Sequence, residues 1–543
     1  MKDYLRSAVQ EALQRIGIET PPETIQFERP KIAEHGDLSS NIAMILAREA
    51  KKNPRQLAQE IASQLQTDSL RIAAVEIAGP GFINFRFSNA YLYKELADIV
   101  HLGSRYGASE ENAGKRANVE WVSANPTGPL HAGHGRQVCI GATVCSLLEW
   151  TGWEVTREYY FNNAGNQMQN LAITVRERYR AMHGAEISEE NIHYAGGYIE
   201  DIAAEISNRH GAAMMDADLS FFQKQGEEWC FTSIKNTLDT LNVHHDVYFN
   251  EDGLYKDGKI ARLLSELSDA GLSYEKDGAI WLKTTEFGAD KDRVIVKSSG
   301  EPTYRLPDIA YHREKILRGY DRIIDIFGAD HIATIPDVLS ALRALGMSTD
   351  HVDVIIHQMV SFVSDGEVVK MSKRAGNAYS LDDLVADVGV DAVRYFFVMR
   401  AAQSQLEFDI ALAQEQSENN PVYYVQYAHA RIASIVRFAE SEGAPATTDI
   451  RLPLLQHDSE IALIKVLLEF PEIIALSART LETQHLCTYL HNLSASFHKF
   501  YHDCRVVTED ADLSAARMFL CRATKQVLAN GCSIIGIHAP EKM

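Results

Sequence analysis

Apolar and polar positions follow two rhythms along this chain, and the places where the rhythm changes mark its parts. From about residue 37 to 65 apolar residues recur at helical spacing, and Asn53-Pro54 supplies a cap followed by proline at the first helical position, with Leu57, Ile61 and Leu65 on one face. The stretch VEIAGPGFINFRFS, residues 75–88, alternates with period two around a Gly-Pro-Gly turn and predicts a pair of strands. Residues 1–110 are therefore expected to form a small α+β domain. The stretch from 116 to 161 predicts a strand over 117–123, a Gly/Pro-rich loop, a helix over 131–150 stopped at Thr151-Gly152, and a second strand. Such a βαβ unit opens a Rossmann-type, doubly wound parallel sheet, so an α/β domain is expected over 111–400. Further strand-like runs fall at 279–283, 293–297, 323–327 and 354–356, and the mostly helical stretch from about 165 to 270 reads as an insertion. After about residue 405 strand signals vanish; Asn420-Pro421 starts a helix with Val425, Ala428, Ile432 and Ile435 on one face, and 401–543 is expected to be all-α. There is no internal repeat and no low-complexity segment.

The length of 543 residues supports this modular reading, since one hydrophobic core rarely serves more than ~250–300 residues. No segment approaches the ~20 apolar residues of a membrane span, and the N-terminus MKDYLRSAVQEALQRIGIE mixes both charges with an apolar stripe, unlike a signal peptide. Cysteines 139, 145, 230, 487, 504, 521 and 532 form no CxxC pair and no cluster with zinc spacing. They read as reduced thiols of a cytoplasmic protein, with no metal ligands and no zinc among the expectations. A formal charge of -21 argues against a chain that coats nucleic acid nonspecifically, and no DNA or membrane partner is expected. Local basic patches remain compatible with it; Lys51, Lys52 and Arg55 either meet phosphate or form a solvated helix end.

Candidate chemistry sits first at the strand–loop–helix junction. In open α/β sheets ligands bind at the carboxyl ends of strands, where helix N-termini present free N–H groups. Gly128, Gly133 and Gly135 remove side-chain bulk where a nucleotide must approach, and Pro129 presets the helix entry. His131 and His134 are three apart, so in a first helical turn they share a face and both point at one phosphate. There they would donate to the charge that grows on an α-phosphate under in-line attack. A second cluster, VVKMSKRAGN over 368–377, places Lys370 and Lys373 three apart, able to meet β- and γ-phosphates, around Met371 in a loop suited to closing over substrate. GLYKDGKI at 253–260 has the glycine and lysine spacing of a P-loop, but Ile260 stands where a magnesium-binding hydroxyl belongs and acidic residues precede it, so it is read as a turn.

The pair HAGH and KMSK resembles the paired signature of class I aminoacyl-tRNA synthetases. The segments EWVSANPTGPLHAGHGR, REYYFNNAGNQ, DKDRVIVKS, YRLPDIAYH, NPVYYVQYAHARI and VLANGCSIIGIHAPEKM are similar to the arginyl family over nearly the whole chain. Ala132 and Arg374 depart from the usual signatures without disturbing the histidines or lysines. The resemblance implies an arginine–tRNA ligase activity: ATP, bound with Mg2+, activates L-arginine to an adenylate, and the acyl group passes to the 3′-terminal ribose of tRNA(Arg). It implies His131, His134, Lys370 and Lys373 as catalytic residues, with Pro129, Gly133 and Met371 joining them around ATP. It places Asn125, Tyr304 and Asp308 in the arginine pocket, with Ser123 and Glu120 as further members. Glu120 and Asp308 supply carboxylates for a guanidinium and Tyr304 a planar group to stack on it; alternatively Glu120 pairs with a neighbouring lysine. The family assigns the N-terminal domain to the tRNA elbow and the C-terminal helices to the anticodon, where Tyr423, Tyr427, Arg431 and Arg505 are the candidate RNA contacts. A monomer is expected. A synthetase for another amino acid, a free-standing nucleotidyltransferase and a catalytically silent tRNA-binding relative are the competing readings.

Overall fold

The computed structural model describes residues 1–30, 32–364, 366–368, 379–441 and 450–543. They form two compact units: Met1–Tyr106 with Ile432–Glu469 and Ala495–Val527, and Gly107–Arg431 with Phe470–Ser494 and Leu528–Met543.

In the first unit an antiparallel sheet has the order Leu38–Ser40, Phe82–Phe87, Ile72–Ala78. The helix Pro54–Gln64 starts as its sequence dictates: the Asn53 side chain accepts from the Arg55 and Gln56 N–H groups, and proline fills the first position, where no N–H is needed. Leu57 and Ile61 are fully buried, while Leu65 lies one residue past the helix. Lys52 pairs with Glu60 and Arg55 donates to the Gly79 carbonyl (3.1 Å), local contacts of a helix end.

The second unit is built on five parallel strands in the order Val247–Asn250, Glu154–Phe161, Arg116–Glu120, Arg322–Gly328, Val352–His357. Numbered along the chain this is 3-2-1-4-5, the Rossmann order, and it reverses between the first strand and the fourth. The helix His134–Trp150 follows the first strand and buries Val138, Val144, Leu147 and Leu148.

Three expectations need correction. The third strand, Val247–Asn250, lies inside the stretch 165–270 expected to be helical; its four half-buried residues sit at the sheet edge, too short for a periodic signal. The runs at 279–283 and 293–297 are strands as expected, Ala279–Leu282 and Arg293–Val296, and join Ser273–Lys276 in a separate antiparallel sheet. Leu406–Asp409 is a strand beyond residue 405, formed because Leu406 and Phe408 bury one face while pairing in parallel with Val360–Val363. The P-loop-like segment is two helices, Asp252–Lys256 and Lys259–Asp269, joined at Gly258 with φ +67°.

Beyond Asp409 the described residues contain helices and no strand. The helix Pro421–Ser441 is capped by the Asn420 side chain, which accepts from Val422 and Tyr423, and Val425, Ala428, Ile432 and Ile435 are buried as expected. No helix among the described residues is long and apolar enough to cross a membrane.

Candidate active site

The reversal of strand order opens a crevice between the ends of the first and fourth strands. There the chain leaves the sheet abruptly. Val122 (φ +70°) and Ser123 (φ +45°) both take left-handed backbone, which is rare for a branched residue and persists only where neighbours enforce it. Ser123 Oγ donates to Glu120 (2.8 Å) and accepts from the Tyr160 N–H (3.2 Å). Asn125 accepts from the Asn162 N–H (3.0 Å) and donates to Gln167 (2.9 Å). Both predicted pocket residues thus brace this turn against the second strand and the segment after it.

The histidine pair survives a change of geometry. The helix begins at His134, not at 131, and His131 precedes it in a lone bridge to Ser380. The rings nevertheless stack, with centroids 3.6 Å apart and planes 25° apart. The His131 N–H donates to His134 Nδ1 (3.2 Å), which assigns the His134 proton to Nε2. Burial pulls the His134 imidazole down to about 3, with His131 and His357 adding to the effect, and burial also lowers His131. Both rings are therefore neutral donors near pH 7. Gly133 leaves room for the His131 ring, which a Cβ would meet at 3.0 Å, whereas at Gly135 a Cβ would strike Phe397 at 2.5 Å. Gly135 is thus required by packing against protein, a correction to its expected nucleotide role; Gly128 likewise faces the Tyr198 ring.

Half-buried Pro129 leads into Leu130 and Ala132, whose backbones pair with Leu381 and Tyr379 (both 2.8 Å). The segment just after the second signature is thereby sewn to the first. Lys370, Met371 and Lys373 themselves lie outside the described residues.

On the other side of the crevice the helix Arg305–Leu317 carries the predicted YRLPD residues. Tyr304, its N-cap, is 79% exposed. Asp308 is half-buried and its carboxyl accepts no hydrogen bond among the described residues, and burial, reinforced by the Glu120 and Glu251 carboxylates, pushes that carboxyl up to about 7 against the pull of His312 and Lys315. Glu120 answers the alternative left open by its sequence: its carboxylate is taken by the Ser123 hydroxyl and by the buried ammonium of Lys315.

Several site residues escaped the sequence reading. Glu251, 7% exposed at the end of the third strand, accepts from Tyr160 (2.5 Å), Asn162 (2.8 Å) and Tyr255 (3.5 Å), and burial raises its carboxyl. Its only signal was an acidic residue before the P-loop-like segment. Arg136, fully buried two residues past His134, donates to the Gln358 and Ala401 carbonyls (2.8 Å each) and is drawn down to about 10 by burial. His357, at the end of the fifth strand, has a buried Nε2 with no hydrogen-bond partner.

Three family models cover this architecture in order: "Arginyl tRNA synthetase N terminal domain" over residues 3–87, "tRNA synthetases class I (R), catalytic domain" over 95–399, and "DALR anticodon binding domain" over 425–543. The chain belongs to the arginyl-tRNA synthetase family. Among family relatives, the arginine–tRNA ligase of Salinibacter ruber is 47% identical with both chains fully covered, and that of Desulfotalea psychrophila is 48% identical over 95% of this chain and 94% of its own. Among solved structures, a putative arginyl-tRNA synthetase from Campylobacter jejuni has a TM-score of 0.77 at 31% identity, covering 84% of this chain and all of that one. The Thermus thermophilus arginyl-tRNA synthetase shares the fold at a TM-score of 0.79 and 21% identity, with both chains fully covered.

The family's expected RNA contacts divide between the units. Tyr423 and Tyr427 stack on one another (6.1 Å, 9°) on the helix Pro421–Ser441, and exposed Arg431 follows one turn on. Arg505, also exposed, belongs to the other unit, where its carbonyl accepts from Arg517 (2.7 Å).

Proposed function

We propose that this synthetase-family chain is an arginine–tRNA ligase. The carboxylate of L-arginine attacks the α-phosphorus of ATP, pyrophosphate departs, and arginyl-adenylate results. The 2′-hydroxyl of the terminal ribose of tRNA(Arg), the position used by class I enzymes, then attacks the acyl carbon and releases AMP. The reading is carried by one juxtaposition: two neutral, stacked imidazoles at a helix entrance face a crevice whose far wall holds an unpartnered carboxyl, Asp308, beside buried Glu251.

In this mechanism His134 Nε2–H, with its other nitrogen already engaged, donates to the non-bridging oxygen of the α-phosphate as charge accumulates there, and His131 does the same from the adjoining ring. A neutral donor needs no proton transfer to act. Lys370 and Lys373 hold the departing β- and γ-phosphates together with Mg2+ that arrives with ATP, while Pro129, Gly133 and Met371 border the nucleotide. Asp308 and Glu251 take the guanidinium in charge-assisted bonds and Tyr304, exposed while the pocket is empty, stacks on its plane. Asn125 and Ser123 shape the same pocket from the first strand. Tyr423, Tyr427, Arg431 and Arg505 meet the tRNA.

Pyrophosphate exchange measured with each amino acid in turn, with and without cognate tRNA, tests the reading. Exchange restricted to arginine is the expected result. Exchange with a different amino acid alone, or none under any condition, refutes it.

A further inference from the structure

The helix Arg305–Leu317 packs on the parallel sheet through an unusual set of contacts. Asp308, Tyr311, His312 and Lys315 recur at helical spacing on one face, and Arg318 caps the helix. Their polar groups reach three neighbouring strands. Tyr311 (2.9 Å) and Arg318 (2.7 and 2.9 Å, a two-pronged pair) bond Glu158 on the second strand. His312 Nε2 meets Asp325 on the fourth (3.1 Å). Lys315, fully buried, bonds both Asp325 and Glu120, the latter on the first strand, and its ammonium lies 4.3 Å from the centre of the Tyr311 ring. His312 Nδ1 meets the Asp308 main-chain carbonyl (2.8 Å), which leaves the Asp308 carboxyl as the acidic group of this row without a hydrogen bond among the described residues, and Asp308 is the member nearest the crevice.

A buried ion pair is rarely the most stabilising way to fill a core, since apolar residues of similar volume commonly do as well. What it does impose is register, because charges taken out of water tolerate little displacement from their partners. Lys315 is bonded to two strands at once, and through Glu120 it reaches Ser123, the residue holding the left-handed turn on the opposite wall.

We propose that Lys315 is a positioning residue for the amino-acid half of the site: by tying Glu120 to Asp325 it sets the height of Asp308 over the strand ends and keeps Glu120 committed to the protein, so that Asp308 and Glu251 meet the guanidinium. This rests on the arginine–tRNA ligase reading. The ammonium never touches substrate; it acts through the two walls it joins.

The test is the double variant Lys315→Met/Asp325→Asn, which cuts the tie while leaving the net charge of the buried group unchanged, so that Glu120, still bonded to Ser123, is the one carboxylate that loses a cation. Steady-state aminoacylation is measured against arginine and against ATP, with thermal melting alongside. The expected result is a rise of about tenfold or more in KM for arginine, because small displacements of a binding group are costly, with KM for ATP within about twofold of wild type. An unchanged arginine KM, or a parallel rise in both constants, overturns the proposal, the second because it marks general loosening. Should the double variant not fold, Lys315→Arg decides: a cation still spanning both carboxylates is expected to keep the arginine KM within about threefold, and a rise there equal to that in the ATP KM overturns the proposal. A wild-type chain that fails to charge tRNA with arginine removes the function reading itself, and this proposal with it; a wild type that charges while the variants show no selective effect removes only the role of Lys315.

Discussion

The two halves of the crevice are built in opposite ways. Among the described residues the proposed nucleotide side is local: Pro129, His131, Gly133 and His134 lie within six consecutive residues, and their geometry comes from a loop entering a helix. The amino-acid side is assembled from Glu120, Tyr160, Glu251, Asp308 and Lys315, which come from three strand ends and one helix. The imidazoles of the nucleotide side are held neutral by burial, whereas on the amino-acid side the Glu120 and Glu251 carboxylates help burial raise the carboxyl of Asp308. The contrast follows from the chemistry served. A phosphate can be met by N–H donors along one stretch of chain, but a guanidinium needs several acceptors arranged around a plane.

The largest effect that would sharpen this division is catalytic. His134→Ala removes a donor to the developing phosphate charge and is expected to lower kcat by about 10²–10³-fold while leaving KM for arginine within about twofold, as read by steady-state aminoacylation. A change confined to arginine KM would erase the distinction between the halves. Next in size, Asp308→Asn deletes one charged partner of the guanidinium. Charge-assisted bonds contribute about 1.5–3 kcal/mol net, so KM for arginine should rise by about 10- to 100-fold with KM for ATP nearly unmoved.

The smallest effect is in pH. The Asp308 carboxyl, ordinarily near 3.8, is raised to about 7 in the empty site. A cationic side chain prefers its ionised form, so KM for arginine should fall as pH rises toward about 7 and level off above it, and Asp308→Asn should flatten that profile. The arginine-free protein binds this proton more tightly folded than unfolded, so its stability should decline as pH rises from about 4 to about 7, the reverse of a salt-bridged carboxylate. On the nucleotide side His134 should contribute no titration to kcat between pH 5 and 8, because it becomes charged only near 3. A bend in kcat near 6.5 would break the comparison.

The same division governs what could be read in advance. Asn53-Pro54 and Asn420-Pro421 announced helix starts because capping involves neighbours in sequence, and the spacing of His131 and His134 remained informative even though the helix begins three residues later. Glu251 was hidden for two reasons: the strand that delivers it has four residues, and its partners Tyr160 and Asn162 lie some ninety residues earlier. Glu120 was seen but not settled, because its partner Lys315 is 195 residues away. Leu406–Asp409 was missed since a strand that short exists only where another, here Val360–Ser364, offers it a ladder.

Alone, the order of residues determined which stretches fold as strand or helix over long periodic runs and that two histidines stand together at a helix entrance, because those properties arise among residues within a few positions of one another. Tertiary structure decided which carboxylates are spoken for and which stands open, since a buried charge takes its character from whatever strand is packed against it.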